Sequence, residues 1–468
     1  MIDYKIRNLE PFHQLAKDQG ARASTSLCMD YISPFVFVLP FKALFARHWI
    51  PLLTSLLSIS TIFLTPLAPE FFSIRMDGSC DSQTIGCVPS WSIFPAAGRA
   101  IEALLCLMAF LTILLVVHLR RYSTGVFSEP SSIVGLATLA RKQEVTEDFH
   151  TLLGGSKSRP FQSQEKRRYK LDFYTDRDES QKYGLVPLVP SMGIPANMQS
   201  EQIYEYQGRN QHSQKRGVTF NHPHWKGALG LIILLSSLVA IIVYYNLTYN
   251  DDGFERFMDS QGFGVRFLFT SVGVIIKLYW GSILKGERTL PGRPLLADIA
   301  DISIFEPFNN LAKRSSKAQN SILMPKHSSP ITAFSSAIAR RHFLVAFVAL
   351  STFLADALTI CLANIHFKTG TTFAAFTVVT WLSCSIIAVM LITLIVVAFR
   401  HQPDLPLKPT TIAAVLCYLS SSTIPARLSN LATLNGRVRN RIIRDMDCKY
   451  GMWLQGDSPT IDVEPLDS

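Results

Sequence analysis

Residues 373–399 read FAAFTVVTWLSCSIIAVMLITLIVVAF, without one charged side chain, and are closed by Arg400 and His401. At ~1.5 Å rise per residue such a helix extends about 40 Å, more than the ~30 Å of a bilayer's hydrocarbon core. A buried helix of a soluble globule is the alternative for any single stretch of this kind. Five more segments share its character: 49–67, 103–119, 228–245, 267–284 and 343–363. Six in one chain, most with basic flanks, point to a bilayer rather than a water-soluble core.

Composition agrees. Hydrophobic residues make up 48% of the 468 and charged residues 17%, against about 25% charged in ordinary soluble domains. The balance excludes a disordered chain, a collagen and a disulfide miniprotein. Lys+Arg number 45 against 35 Asp+Glu, a formal net charge of +10. The cations crowd into the two long loops at 120–226 and 285–341. The loops on the opposite side hold only Arg75 and Arg99, Arg256 and Arg266, and Lys368. This asymmetry puts both termini in the cytoplasm; plasma membrane and endomembrane fit it equally. No nucleic-acid reader motif accompanies the basic charge. The expected partners are therefore the lipid bilayer and other membrane proteins or a second copy of the chain, and no nucleic acid. The polar start Met1-Ile2-Asp3-Tyr4-Lys5 lacks an apolar run with a cleavage site, so targeting falls to the first span.

The outer loops carry two candidate modifications. Cys80 and Cys87 lie close together in a polar segment and form a disulfide if that side is oxidising; two free thiols are the alternative. Asn246-Leu247-Thr248 matches a glycosylation acceptor, at a span end where the transferase reaches poorly.

The chain also repeats itself. Glu10-Pro11-Phe12-His13-Gln14-Leu15-Ala16-Lys17 returns as Glu306-Pro307-Phe308-Asn309-Asn310-Leu311-Ala312-Lys313. Arg47-His48-Trp49, at the first span, returns as Arg341-His342-Phe343, at the fifth. Pro130-Ser131-Ser132-Ile133 after the second span parallels Pro409-Thr410-Thr411-Ile412 after the sixth. Tyr-containing stretches follow at 168–173 and 449–453. Four matches in one order indicate duplication. Both copies enter from the same side, unlike the inverted repeats of many carriers.

The expected fold is an all-α integral membrane protein. About six transmembrane helices fall into two parallel repeat modules and a central helix pair, with small cytoplasmic β-like segments. Module one covers 1–190, with a short hairpin over 167–190. A linker covers 191–225, the central pair 226–285 and module two 286–468. Pro130 and Pro409 are expected to open short apolar helices that lie on the cytoplasmic face or pack beneath the spans, with Ser128 as the N-cap of the first. Phe12 and Phe308 are expected to anchor the Glu-Pro-Phe segments at the membrane face. The acidic tail from Gly456 is expected to be flexible.

Glu10-Pro11-Phe12-His13-Gln14-Leu15, Asp30-Tyr31 and Arg47-His48-Trp49 resemble the opening of the fungal membrane family known as domain of unknown function 3433. Lys408-Pro409-Thr410-Thr411-Ile412-Ala413 and the Tyr-Gly stretches are similar to its cytoplasmic segment. The second module departs from the pattern in lacking an Asp-Tyr pair. The resemblance implies a fungal multi-pass protein built from two such units. It brings no established activity, so it supplies no catalytic residue and no cofactor.

No phosphate loop, zinc-protease helix or nucleophile elbow is present, and no catalytic, cofactor-binding or metal residue is assigned. His222 and His224 form a His-Pro-His turn at the membrane edge. Lys277 and Asp356 lie inside spans, where charge is costly and suggests function. Their depths differ by a few ångströms, which a lysine can bridge, so they pair or share a polar cavity; the alternative is a snorkelling lysine and an aspartate in a hydrated groove. The leading expectation is a non-enzymatic membrane scaffold or interaction protein of unknown activity. The alternative is a transporter or channel component using a polar site near Lys277 and Asp356.

Overall fold

The architecture comes from a computed structural model. It describes residues 2–31, 34–77, 88–120, 122–128, 130, 132–140, 145, 148–149, 165–175, 179–188, 216–217, 220–221, 225–247, 253–258, 263–285, 302–313, 315–324, 330–365, 373–399, 402–403, 405–455 and 458–464.

Among the described residues, five helices are long and apolar enough to cross a membrane. They are α3 (Trp49–Phe71), α4 (Pro95–Leu119), α6 (Trp225–Leu247), α11 (Phe343–Leu362) and α12 (Phe373–Ala398). The expected fourth span is α8 (Phe263–Lys285), with the short α7 (Gly253–Met258) before it. It carries Arg266 and Lys277 and is not among the five. Helix α3 runs past the expected end at 67, through Pro66 and Pro69. Helix α4 starts at Pro95, eight residues before the expected 103.

The long helices pack in two groups. Helices α3 and α4 meet through Ile50, Leu53, Leu111 and Leu115, where Ile6 of α1 (Ile2–Leu15) joins them. Helices α6, α8, α11 and α12 share a second apolar core. Helix α8 bridges the groups by touching α3 as well as α11. Its approach to α11 depends on Gly273: a Cβ there would lie 2.9 Å from the Thr359 Cα. One turn pair further along, the Trp280 indole N–H donates to the Val348 carbonyl at 3.3 Å. At the far ends of α3 and α4 the chain forms the hairpin β2 (Phe72–Asp77) and β3 (Val88–Ile93).

The opposite side, where α3 and α11 begin, carries a compact body. Its core draws on α1 and on α5 (Ile133–Leu139), β4 (Arg168–Thr175) and β5 (Gln181–Pro187) from the first half. From the second half come α9 (Ile302–Lys313), α13 (Ile412–Leu419), α14 (Ile424–Leu428), β10 (Lys449–Gln455) and β11 (Ser458–Val463). Phe12 and Phe308 sit inside this core. They are not membrane anchors, because α1 and α9 turn those rings toward the body's interior. Full burial stabilises each by about 1.5–3 kcal/mol.

Two local expectations are corrected. The short helices start at Ile133 and Ile412, three residues after their prolines. Ser132 Oγ accepts from the Gly135 N–H at 3.2 Å and Thr411 Oγ1 from the Ala414 N–H at 3.1 Å. A hydroxyl directly before the apolar run is the better-placed cap. Ser128 instead accepts from Arg439 Nη1 at 2.6 Å, across the two halves. The acidic tail is not a loose end over its described part: β11 pairs antiparallel with β10 from Tyr450–Val463 to Gln455–Ser458, burying Ile461. Pro459, Thr460 and Ile461 are all buried there, so the start of this strand is covered on both faces.

The small sheets tie distant segments together. One has the order β1-β4-β5, with β1 at Ala21–Arg22. The second joins β10 to β11, to β8 (Ser316–Lys317) and to β6 (Arg216–Gly217). β7 (Phe220–Asn221) pairs with β9 (Gln402–Pro403). The expected linker thus contains two short strands attached to the second half, because its backbone groups find partners there.

The halves also exchange hydrogen bonds. The Val134 N–H donates to the Ile322 carbonyl at 3.2 Å, and the Ala413 N–H donates to the Leu27 carbonyl at 2.9 Å. Each donor is the second residue of its capped helix, and each acceptor lies four residues after the Ala that opens a 3₁₀ turn, Ala23–Thr25 or Ala318–Asn320.

Candidate functional site

Two chain corners stand where short helices run into long ones. Helix α2 (Leu39–Phe45) leads into α3, and α10 (Pro330–Ala339) leads into α11. At the first, the His48 N–H donates to the Ala43 carbonyl at 2.9 Å and the Arg47 N–H to the Leu44 carbonyl at 3.0 Å. At the second, the His342 N–H donates to the Ala337 carbonyl at 2.8 Å and the Arg341 N–H to the Ile338 carbonyl at 3.0 Å. This is the Schellman closure, whose turning residue adopts a left-handed backbone and is usually glycine. Here that residue is arginine both times, with φ of 57° for Arg47 and 60° for Arg341. An L-residue in that region costs about 1–2 kcal/mol.

The corner sends its arginine outward and its histidine inward. His48 Nδ1 lies 3.8 Å from Glu10 Oε1, and His342 Nδ1 lies 3.5 Å from Glu306 Oε1. Both acids belong to the Glu-Pro-Phe helices, α1 and α9, and both are buried. Each contact pins a helix of the near-side body to the start of a long apolar helix.

Around Glu10 the contact grows into a network. Gln14 Nε2 donates to Glu10 Oε1 at 2.5 Å, and Lys17 Nζ donates to Gln14 Oε1 at 2.5 Å. The Tyr122 hydroxyl, just beyond α4, donates to Glu10 Oε2 at 3.3 Å. The Tyr31 hydroxyl makes a short hydrogen bond with His48 Nδ1. His13 stacks on Tyr122 with ring centres 4.1 Å apart, and its Nδ1 donates to the Ser123 carbonyl at 2.7 Å.

Burial governs the protonation of this network. It raises the Glu10 carboxyl to about 7, against smaller opposing effects of Gln14, Lys17 and Tyr122. It lowers His48 to about 4, helped by the Lys17 and His13 charges. Burial and the Glu10 charge both push the Tyr31 and Tyr122 hydroxyls upward. Each group is thus drawn toward its neutral form. The Tyr31 hydroxyl then donates to a neutral His48, and Glu10 exchanges its proton close to neutral pH.

The structure brings Lys277 and Asp356 together, with Nζ 2.6 Å from Oδ1. The pair joins α8 to α11, and its side chains remain 40% and 48% exposed on the protein surface. Toward the far end of α8, Arg266 Nη1 donates to the Pro69 carbonyl at 3.1 Å, beside the buried Glu70. Asn246 lies half-buried in the last turn of α6. Cys80 and Cys87, and His222 and His224, lie outside the described residues. Among the described residues no three His, Cys, Asp or Glu side chains converge as metal ligands.

The Glu–His contacts were not expected as contacts from the sequence. The available signal was the double recurrence of Glu-Pro-Phe and Arg-His. Both copies of that signal fall in segments with a common relationship. Residues 1–73 and 299–367 match the family described as protein of unknown function (DUF3433). The first DUF3433 segment contains Glu10, Tyr31, Arg47, His48 and all of α3. The second contains Glu306, Arg341, His342, Asp356 and all of α11. Lys277 lies outside both DUF3433 matches. No curated protein and no solved structure matches the chain.

Proposed function

We propose that the protein is a non-enzymatic integral membrane scaffold. Two duplicated modules build one cytoplasmic body that holds the membrane helices in a set arrangement and presents a surface to partners. The observation that carries this reading is the single near-side core drawn from both halves, closed by the reciprocal Val134–Ile322 and Ala413–Leu27 hydrogen bonds. A shared core with matched bonds at matched positions is what an isologous pair of units makes. The parallel corners, caps and strand pairs support duplication. The excess of Lys and Arg in the near-side loops supports a cytoplasmic body and cytoplasmic termini. The bilayer is one partner, and other membrane proteins or a second copy are the others.

Extraction from native membranes in mild detergent, with cross-linking mass spectrometry, tests the scaffold. Cross-links from the near-side body to other membrane proteins, in a particle heavier than one chain, are the expected result. A single-chain particle without such cross-links would remove it.

A transport role is the second reading, supported by the Lys277–Asp356 pair, since half-exposed charge among apolar helices needs water or a polar partner. Proteoliposome flux that disappears in Asp356→Asn would favour it over the scaffold.

A further inference from the structure

Each module turns from a short amphipathic helix into a long apolar one at a left-handed arginine. Glycine suits that position better, so a long cationic side chain is kept twice where backbone sterics oppose it. Arg47 and Arg341 are exposed, and neither guanidinium has a partner among the described residues. The apolar side chains beside them are exposed as well: Phe41, Phe45 and Trp49 at the first corner, and Ile331, Ile338 and Phe343 at the second, with Phe45 86% exposed. Because α3 and α11 start two residues after these arginines, those apolar faces lie where acyl chains meet headgroups.

The second corner has a further feature. Arg340, next to Arg341, is half-buried, and the charge of Arg444 reaches it from α15 (Gly436–Asp445). Burial and Arg444 together weaken the hold of Arg340 on its proton. No described carboxylate pairs with either guanidinium. Arg341 stands exposed at φ 60° beside the exposed Ile338 and Phe343; cations that oppose one another's charge are relieved by an anion, and the guanidinium fork matches a phosphate.

We propose that Arg340, Arg341 and Arg444 bind the phosphate of an anionic lipid in the near-side leaflet, whose chains lie along Ile338 and Phe343. Arg47 makes a weaker, single-arginine version at the first corner. The proposal rests on the chain's insertion in a membrane and is independent of the scaffold and transport readings.

The test uses the full-length protein in nanodiscs of phosphatidylcholine, alone or mixed with phosphatidylserine. Thermal unfolding and retention of phosphatidylserine in native mass spectrometry are the readouts. Wild type unfolds at a higher temperature with phosphatidylserine. Arg341→Gly relaxes the left-handed turn, so it unfolds no earlier than wild type in phosphatidylcholine. It nevertheless loses most of the phosphatidylserine increment and retains that lipid about fivefold less. Arg444→Gln, on an exposed helix face, loses a similar share, and Arg444→Lys less. An increment unchanged in both Arg341→Gly and Arg444→Gln overturns the proposal. So does a full increment from soluble glycerophosphoserine, which would make the site one for a free anion. A protein that enters phosphatidylcholine discs but gains nothing from phosphatidylserine sinks the lipid site and leaves membrane insertion standing. Recovery of the folded chain outside the discs, in buffer, would end both.

Discussion

At the first corner His48 faces Glu10 within a network that includes Gln14, Lys17, Tyr31 and Tyr122. At the second, His342 faces Glu306 at a similar distance, but Asn310, in the place of Gln14, donates to the Asn320 carbonyl at 2.9 Å. At the second corner the Arg444 charge is felt by the half-buried Arg340. Further along the spans, Asp356 of α11 occupies the position that Ile62 has in α3. The backbone corner and its acid–histidine contact are common, while the groups around them differ. A Schellman turn is closed by main-chain bonds, so it survives changes in neighbouring side chains. A polar network depends on every member and diverges more easily.

The largest expected effect is at the first acid. Glu10→Ala leaves the buried Gln14 amide and the Tyr122 hydroxyl without their acceptor and costs about 3 kcal/mol in detergent-solubilised unfolding. A loss below about 1 kcal/mol would break the network reading of the first corner.

Next comes the Lys277–Asp356 pair. Lys277→Ala, Asp356→Ala and the double variant form a thermodynamic cycle with an expected coupling of about 2 kcal/mol. Strictly additive losses would mean that the 2.6 Å contact couples nothing.

The pH profile sharpens the first corner. Between about 4.5 and 7 folded Glu10 holds more protons than the unfolded chain, so its contribution falls as pH rises. Between about 4 and 6.5 folded His48 holds fewer, so its contribution rises with pH. The two slopes nearly cancel in the wild type from about 4.5 to 6.5. His48→Gln should expose a falling profile and Glu10→Gln a rising one, each up to about 1.4 kcal/mol per pH unit. Slopes of one sign in both variants would refute this assignment.

The smallest effect probes what the two halves share. Ser132→Ala and Thr411→Ala each remove one N-cap and should each cost about 1 kcal/mol. A cap that matters in one half and not in the other would weaken the structural parallel.

Much of the architecture was legible. Apolar stretches located the long helices, and the hairpin expected over 167–190 appears as β4 and β5. Errors came where a local rule met a nonlocal partner. Proline at 130 suggested a helix start, but Ser132 was the better cap. Acidic residues suggested a loose tail, but β10 offered an edge to Ser458–Val463. Phe12 and Phe308 read as membrane anchors because their burial in a body built from both halves has no local signature. A charge within an apolar stretch is rare, which marks Lys277 and Asp356 in the sequence; Glu10 and His48, outside such stretches, carry no comparable mark.

Composition alone determined that long segments of this chain prefer an apolar solvent, because transfer free energy accumulates residue by residue along a helix. The recurring motifs and their order were also written in the primary structure. Tertiary structure decided that Glu10 meets His48, that Val134 bonds to Ile322 while Ala413 bonds to Leu27, and that two arginines face outward at left-handed turns. Such pairings join residues far apart in the chain, and their energies exist only once packing has removed the water between them.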